Sequence, residues 1–362
     1  MSAVRIDRPF GEENRRRLLA EWFAVGNVTS ANAWQHVYRL LLWLDPTTGL
    51  AHCYESDKSQ PGRPWYARSL AFHSWLADEL GSGTESLGDD LDWLFRRVVA
   101  DMEELLTERR ASWLEAAKEQ RSPYAAIGRS MPEPGENSEL EDEVRAILAD
   151  AVQRDIPRDL LSRIVSTVTL ATANENKRKN LVGEGFEDTL AFILNRLQPP
   201  LTDWRIETRV PLVELPGFYP PRGAEKEKRV DLALVTPDSA RRSGLNRQLV
   251  TAKWSVRSDR EEQFLTDFVA YERRESLGED FSYVLVTNEF DPARLKAACE
   301  IQYGNAPLFA HVVHVNPEGL EATYSAPGTR PSKSALEALR YITEGRLTSL
   351  EAWLVGVRNA SN

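Results

Sequence analysis

Cysteine is nearly absent: Cys53 and Cys299 are the only two in 362 residues, and they lie far apart. That excludes a disulfide framework and fits a reducing, cytosolic setting. Five histidines and two cysteines show no zinc-ligand spacing, so a structural zinc is not expected. No apolar run approaches the roughly 20 residues that cross a bilayer, and residues 1–5 do not open an apolar secretory stretch. No glycine-rich phosphate loop is found, so neither a membrane nor ATP is expected as a partner. Excess positive charge is missing too. The net charge of -10 argues, taken alone, against nucleic acid.

What is present changes that picture. Hydrophobic residues make up 42% and charged residues 28%, enough apolar material for a sizeable core. Charge is also unevenly spread, and DNA binding needs only a local basic face. Between 222 and 260 stand Arg222, Lys226, Lys228, Arg229, Arg241, Arg242, Arg247, Lys253, Arg257 and Arg260, against five acids. A basic solvated surface explains this stretch as well as a nucleic-acid face does, so the motifs must decide.

The first half reads as helical. Residues 33–44 are aromatic and aliphatic on most faces and stop at Asp45-Pro46. Residues 65–80 and 91–118 carry amphipathic spacing. The stretch 121–139, rich in Pro, Gly and Ser, reads as a linker or long loop, and 140–171 as a helical hairpin. Character changes after about residue 173. A helix over 174–197 is followed by runs of strand composition at 208–213, 230–235, 248–254, 283–287 and 309–315. Helical patterns at 259–275, 292–300 and 334–343 separate the later ones. The expectation is an α/β fold, a mixed central sheet flanked by helices over 171–362, with a helical domain or elaboration over 1–170.

Two residues inside the strand runs are out of place. Asp231 sits in 230–235 with Val230, Leu232 and Leu234 on the opposite face, and Lys253 shares a face with Leu249 and Thr251. Charges in such apolar company are costly unless paired or bound to metal. A cross-strand ion pair is the plain explanation. The other is chemistry: phosphodiester hydrolysis needs an activated water and stabilised phosphate charge, which carboxylate-held Mg²⁺ and a lysine supply. On the helix upstream, Glu187 shares a face with Leu190, Ala191 and Leu194 and so projects inward. Glu184 and Asp188 are alternative acids there. After Lys253 comes Trp254-Ser255-Val256-Arg257-Ser258-Asp259-Arg260, with Ser258 and Glu261 spaced as a capping box. Arginine donates twice to guanine and aspartate accepts from the cytosine amino group. Asp267 is the carboxylate beside Phe264, Phe268 and Tyr271 on that helix.

A helix Glu, a strand Asp and a strand Lys in this order resemble the PD-(D/E)XK nuclease core, over roughly residues 174–315. That pattern has a second acid two residues before the lysine, and here Thr251 stands there. With Arg257, Asp259 and Arg260 matching Arg-x-Asp-Arg, the segment resembles the CCGG family of type II restriction endonucleases, whose second acid has moved to the following helix. The resemblance implies Asp231 and Asp267 as Mg²⁺ ligands, with Glu262 and Glu272 as the other candidates for the relocated acid. It implies Lys253 at the phosphate or attacking water and Glu187 orienting that water. Arg257, Asp259 and Arg260 would read a CCGG or interrupted CC/GG core in double-stranded DNA. It also implies a homodimer or a tetramer of paired dimers, and a bacterial cytoplasmic setting. In the first half, Arg63 and Arg68 interleave with aromatic residues near a turn, a pattern suited to phosphate contact or flanking-base readout, or else to core aromatics ringed by surface charge. Two other readings stay open: a nuclease of repair or modified DNA, and a sequence-specific DNA-binding protein whose nuclease core has decayed.

Overall fold

The run 230–235 is apolar at nearly every position, and a strand without polar alternation must be covered on both faces. In the computed structural model it is: Val230 and Leu232 to Val235 are all buried. The structure describes residues 8–45, 48–54, 58–105, 144–146, 148, 158–223, 225–257 and 261–360. Its strands are β1 (Arg205–Pro211), β2 (Arg229–Pro237), β3 (Leu245–Lys253), β4 (Ser282–Thr287), β5 (Gln302–Tyr303), β6 (Ala306–Pro307), β7 (His311–His314) and β8 (Leu347–Ser349). Six of them form one mixed sheet in the order β1-β2-β3-β4-β7-β8. β1, β2 and β3 pair antiparallel, and β3, β4, β7 and β8 run parallel.

Parallel neighbours need crossovers, and the helical patterns supply them. Glu261–Arg274 carries the chain from β3 to β4, and Pro292–Glu300 lies between β4 and β7. Pro317–Tyr324 and Lys333–Thr343 lie between β7 and β8, and Leu350–Asn359 follows. Asp291, Asn316, Ser332 and Ser349 each accept a first-turn backbone N–H, which fixes where these last four helices begin. The five expected strands and three expected C-terminal helices are all present, within a few residues of their expected ends. The three-residue β8, the helix Glu12–Trp22 and the helices Pro317–Tyr324 and Leu350–Asn359 were not expected.

Two expectations are corrected. The helix expected over 33–44 is Ala33–Leu41. Leu42 turns extended, Leu44 bridges Ala51, and His52 donates to the Trp43 carbonyl, so the apolar tail leaves the helix to pair. The helix expected from 174 begins at Arg158 and runs unbroken to Arg196, so residues 158–171 continue into it. No proline or glycine interrupts it before Gly183, and the polar stretch around 174–176 does not make a turn. Of the pattern over 91–118, residues 93–105 are helical. The rest of it, the loop expected over 121–139 and most of the stretch 140–157 lie outside the described residues.

The chain divides into two compact units, residues 1–14 with 97–181, and 15–96 with 182–362. This differs from a division at residue 170, because 15–96 belongs with the sheet. In the smaller unit Leu161, Val165 and Met102 are buried, Lys177 lies over the Phe10 ring at 5.4 Å, and Asn14 donates to Asp101 at 2.9 Å. In the larger unit the sheet is the core, with Leu232, Leu234, Val284, Leu285, Val286, Val312 and Val313 sealed from solvent. Among the described residues no helix is long and apolar enough to cross a membrane.

Candidate active site

Strand pairing alone brings Asp231 to Lys253. β2 and β3 are in register at Leu232 and Val250, so the next step along the antiparallel ladder sets Asp231 across from Thr251, with Lys253 diagonal on the same face. The Asp231 Oδ2 atom accepts three hydrogen bonds: from Thr251 Oγ1 at 3.1 Å, Ala252 N at 3.0 Å and Lys253 Nζ at 2.5 Å. Its Oδ1 accepts none among the described residues. Both side chains keep about a quarter of their surface, 23% for Asp231 and 26% for Lys253. The ion pair is therefore real, half-open, and uses one of two carboxylate oxygens.

Glu187 joins them from the long helix. Phe186, Leu190, Ile193 and Leu194 bury one face of that helix, and Glu187 is carried inward with them, 9% exposed. Arg209 Nη1 donates to its Oε2 at 3.1 Å. Burial first, and the Asp231 carboxylate second, push the Glu187 carboxyl up to about 7, against the pull of Lys253 and Arg209. A buried carboxyl whose proton affinity is raised beside the Asp231–Lys253 pair makes a site prepared for a cation or a proton. The neighbouring acids are disposed otherwise. Asp188 is clamped between Arg209 at 2.5 Å and Arg15 at 3.0 Å, and Glu184 pairs with Arg15 from the surface. Glu187 is thus the helix acid that feels Asp231.

Asp267 approaches from the other side. Its helix follows β3 and buries Phe264 and Tyr271, which carries Asp267 to a partly buried position where Lys228 Nζ meets its Oδ1 at 2.6 Å. Burial, then Asp267, then Asp231 raise the proton affinity of the Tyr271 hydroxyl. The Tyr283 hydroxyl, raised chiefly by burial, feels the same two acids and bonds Thr251. Asp231 and Asp267 therefore both act on the same pair of tyrosines. Glu262 is exposed, and Glu272 takes the Tyr303 hydroxyl at 2.6 Å on the outer side of the helix.

Beyond Lys253, Val256 is buried and Arg257 is exposed. Asp259, Arg260 and the Ser258 cap lie outside the described residues. Arg63 and Arg68 are not brought into the group. Arg63 is exposed at a turn, whereas Arg68 lies 4.7 Å over the Trp65 ring, with its Nε buried and its charge felt by Cys53 and Tyr324 in the interior. Tyr54 and Trp65 stack at 4.2 Å with Lys58 on the outer face of Tyr54. Arg68 is thus part of a packed stack with Tyr54 and Trp65, the core-aromatic alternative, rather than a group offered to DNA.

Two residues of the site escaped the sequence reading. Arg209 holds Glu187 and Asp188 from β1 at φ +47°, a conformation costly for a non-glycine residue and stored most often at functional sites. Nothing in the local sequence announces it. Lys228 had a signal, a cation at the mouth of an acid-bearing strand, submerged in its basic run.

Among the described residues no group of three or more His, Cys, Asp or Glu side chains could by itself cage a metal ion. Mg²⁺, however, is usually held by one or two carboxylates together with substrate phosphates and waters. Asp231, whose Oδ1 accepts no hydrogen bond among the described residues, and the partly buried Asp267 are the two acids such a requirement would draw on.

A search of family models returns no match, and none of the curated proteins matches. Among solved structures the chain is similar to metal-depleted Ecl18kI in complex with uncleaved DNA, at 15% identity and a TM-score of 0.32, over 98% of this chain and 85% of that one. A likeness at that score carries no argument for fold or function.

Proposed function

We propose that this chain is a type II restriction endonuclease of the PD-(D/E)XK kind, hydrolysing double-stranded DNA at a CCGG or interrupted CC/GG core with Mg²⁺. One observation carries the reading: Asp231 and Lys253, paired across β2 and β3, are joined by a Glu187 carboxyl whose proton affinity lies near neutrality. In this scheme Asp231 and Asp267 would hold the metal, which would neutralise charge on the scissile phosphate and make a bound water more acidic. Lys253 Nζ leaves Asp231 for a non-bridging phosphate oxygen and stabilises the charge that builds there. Glu187 orients the attacking water and can accept its proton. The water oxygen bonds phosphorus, one P–O ester bond breaks, and the departing alkoxide takes up a proton. Arg257, Asp259 and Arg260 read the bases, and a palindromic site calls for two copies of the chain.

A second reading has an observation of its own. Thr251 in place of a carboxylate, with Asp231, Glu187 and Asp267 each already paired to a cation, suits a DNA-binding protein without catalysis. Incubating supercoiled plasmid with the chain in Mg²⁺ and in EDTA, then sequencing the ends, separates them. Discrete fragments in Mg²⁺ alone, with ends at one palindrome, are expected. Site-specific binding without cleavage establishes the second reading, and ends scattered over sequence establish a nuclease of another kind.

A further inference from the structure

The segment that leaves β3 cannot rely on the sheet for long. β3 and β4 pair in parallel up to Lys253 and Thr287, and the last rung is the Asn288 N–H on the Trp254 carbonyl at 3.0 Å. Two residues on, Val256 is buried with only 1% of its surface exposed, and a buried backbone N–H without an acceptor is costly. Glu289 supplies the acceptor. Its Oε2 takes the Val256 N–H at 2.6 Å, and its Oε1 takes the Asp291 N–H at 2.7 Å. The carboxylate is itself fixed. Glu289 is 3% exposed, its backbone carbonyl is held by His314 Nε2 at 3.0 Å, and the next carbonyl, that of Phe290, is held by the Tyr324 hydroxyl at 2.8 Å. Arg294 stands 3.5 Å away as a counter-charge.

We propose that Glu289 is the positioning residue of the base-reading segment. From a rigid post at the end of β4 its buried carboxylate sets the point at which the chain departs β3, and with it the origin of Arg257. The inference rests on the proposed restriction endonuclease reading and deepens it: Glu289 touches no substrate and acts through Val256. The same carboxylate reaches the N-terminal region as well. Asp291, whose N–H it holds, accepts the Tyr54 hydroxyl at 2.5 Å and caps the helix Pro292–Glu300. One buried acid thus joins the exit of β3, the exit of β4 and the Tyr54 stack.

The test is discrimination. Glu289→Gln keeps the size of the side chain but offers an NH₂ group to one of the two backbone donors, so one anchor is lost. With the wild-type site mapped from cleavage ends, affinities for cognate and random duplex are measured in Ca²⁺ to hold the DNA uncut. The expected result is a cognate-to-random ratio at least tenfold lower with random-duplex affinity unchanged, beside a modest fall in the thermal midpoint from the buried N–H that loses its acceptor. A merely structural role would move the midpoint and both affinities together. A folded variant with the wild-type ratio overturns the inference alone, whereas a wild type without sequence preference overturns the endonuclease reading and this inference with it. Should the variant fail to fold, amide hydrogen exchange of the full wild-type chain decides. Val256 should exchange as slowly as core strand amides and far more slowly than Arg257, and fast exchange at Val256 removes the anchor.

Discussion

Arg247 and Lys253 stand six residues apart on the same face of β3, and each meets a carboxylate, yet they are opposite kinds of site. Arg247 has no exposed surface. It binds Glu275 at 2.8 Å and the Glu279 carbonyl at 3.0 Å, leans on the Pro216 and Gly217 carbonyls, and lies 5.2 Å over the Phe218 ring. The turn at Gly217 is built around it: φ there is +83°, and a Cβ would come within 2.5 Å of the guanidinium. Lys253 keeps a quarter of its surface and, among the described residues, has Asp231 alone as its ion-pair partner. A cation that holds a fold together is enclosed by its acceptors. One that can change partners keeps donors and solvent in hand.

The comparison breaks if the two lysine and arginine substitutions behave alike. Lys253→Ala should cut cleavage by about a thousandfold, roughly 4 kcal/mol of barrier, and shift stability by less than about 1 kcal/mol because the pair is half-open. Arg247→Met should do the reverse, costing about 3–5 kcal/mol of stability by stranding Glu275 in a closed site. Plasmid cleavage and urea unfolding of both variants measure the two effects. Equal stability losses, or near-wild-type cleavage by Lys253→Ala, would dissolve the distinction.

Next in size is Asp267, the acid placed at the open end. Asp267→Asn keeps the shape, removes the charge and should abolish Mg²⁺-dependent cleavage with the fold intact. Thr251→Glu on an Asp267→Ala background should restore part of it, since position 251 faces Asp231 directly. Normal cleavage by Asp267→Asn, together with loss of cleavage in Glu262→Gln or Glu272→Gln, would move the role to one of those acids. A smaller effect belongs to Arg257: replacing it with Ala should cost about 1–3 kcal/mol of discrimination for CCGG-containing over random DNA. Equal losses on both DNAs would make Arg257 a phosphate contact.

How much of this was legible depends on what each residue leaves in the sequence. The core strands were, because continuous apolar runs between turn residues have few other uses. Asp231 and Lys253 were, because a charge among such residues stands out, and alternation fixed their common face. Glu187 needed only the helical period. Arg209 was not legible, since its role comes from a left-handed backbone step that any arginine in a strand could conceal. Glu289 was not either: its acceptors are used on backbone N–H groups of Val256 and Asp291, contacts set by how two strand ends leave the sheet. The long helix from Arg158 was misread because polar residues at 174–176 imitate a turn, and length overrides such local preferences once packing supports the helix. Arg68 could not be placed from composition, as aromatic and basic residues interleave equally in a packed stack and in a binding face.

The smallest expected effect sharpens the comparison from the closed side. His314, on β7, is fully buried. It takes the Asn316 N–H on Nδ1 at 3.1 Å and donates from Nε2 to the Glu289 carbonyl at 3.0 Å, so it is held neutral with its proton on Nε2. Burial lowers its proton affinity from 6.5 to about 3, against the pull of those two backbone groups. Above pH 6.5 the ring is neutral folded or unfolded and titration contributes nothing. Below it the unfolded chain takes up a proton that the folded core refuses, so stability falls as pH drops from 6.5 toward 3, by about 1.4 kcal/mol per unit. Between pH 7.5 and 5.5 the loss from this one group should be about 1.4 kcal/mol. His314→Asn offers a similar acceptor and donor without a titrating ring, so its unfolding free energy should lose correspondingly less over that interval, measured by urea denaturation of both proteins. Identical pH slopes would mean that the ring is reached by solvent in the folded state, and the closed region would then be open as well.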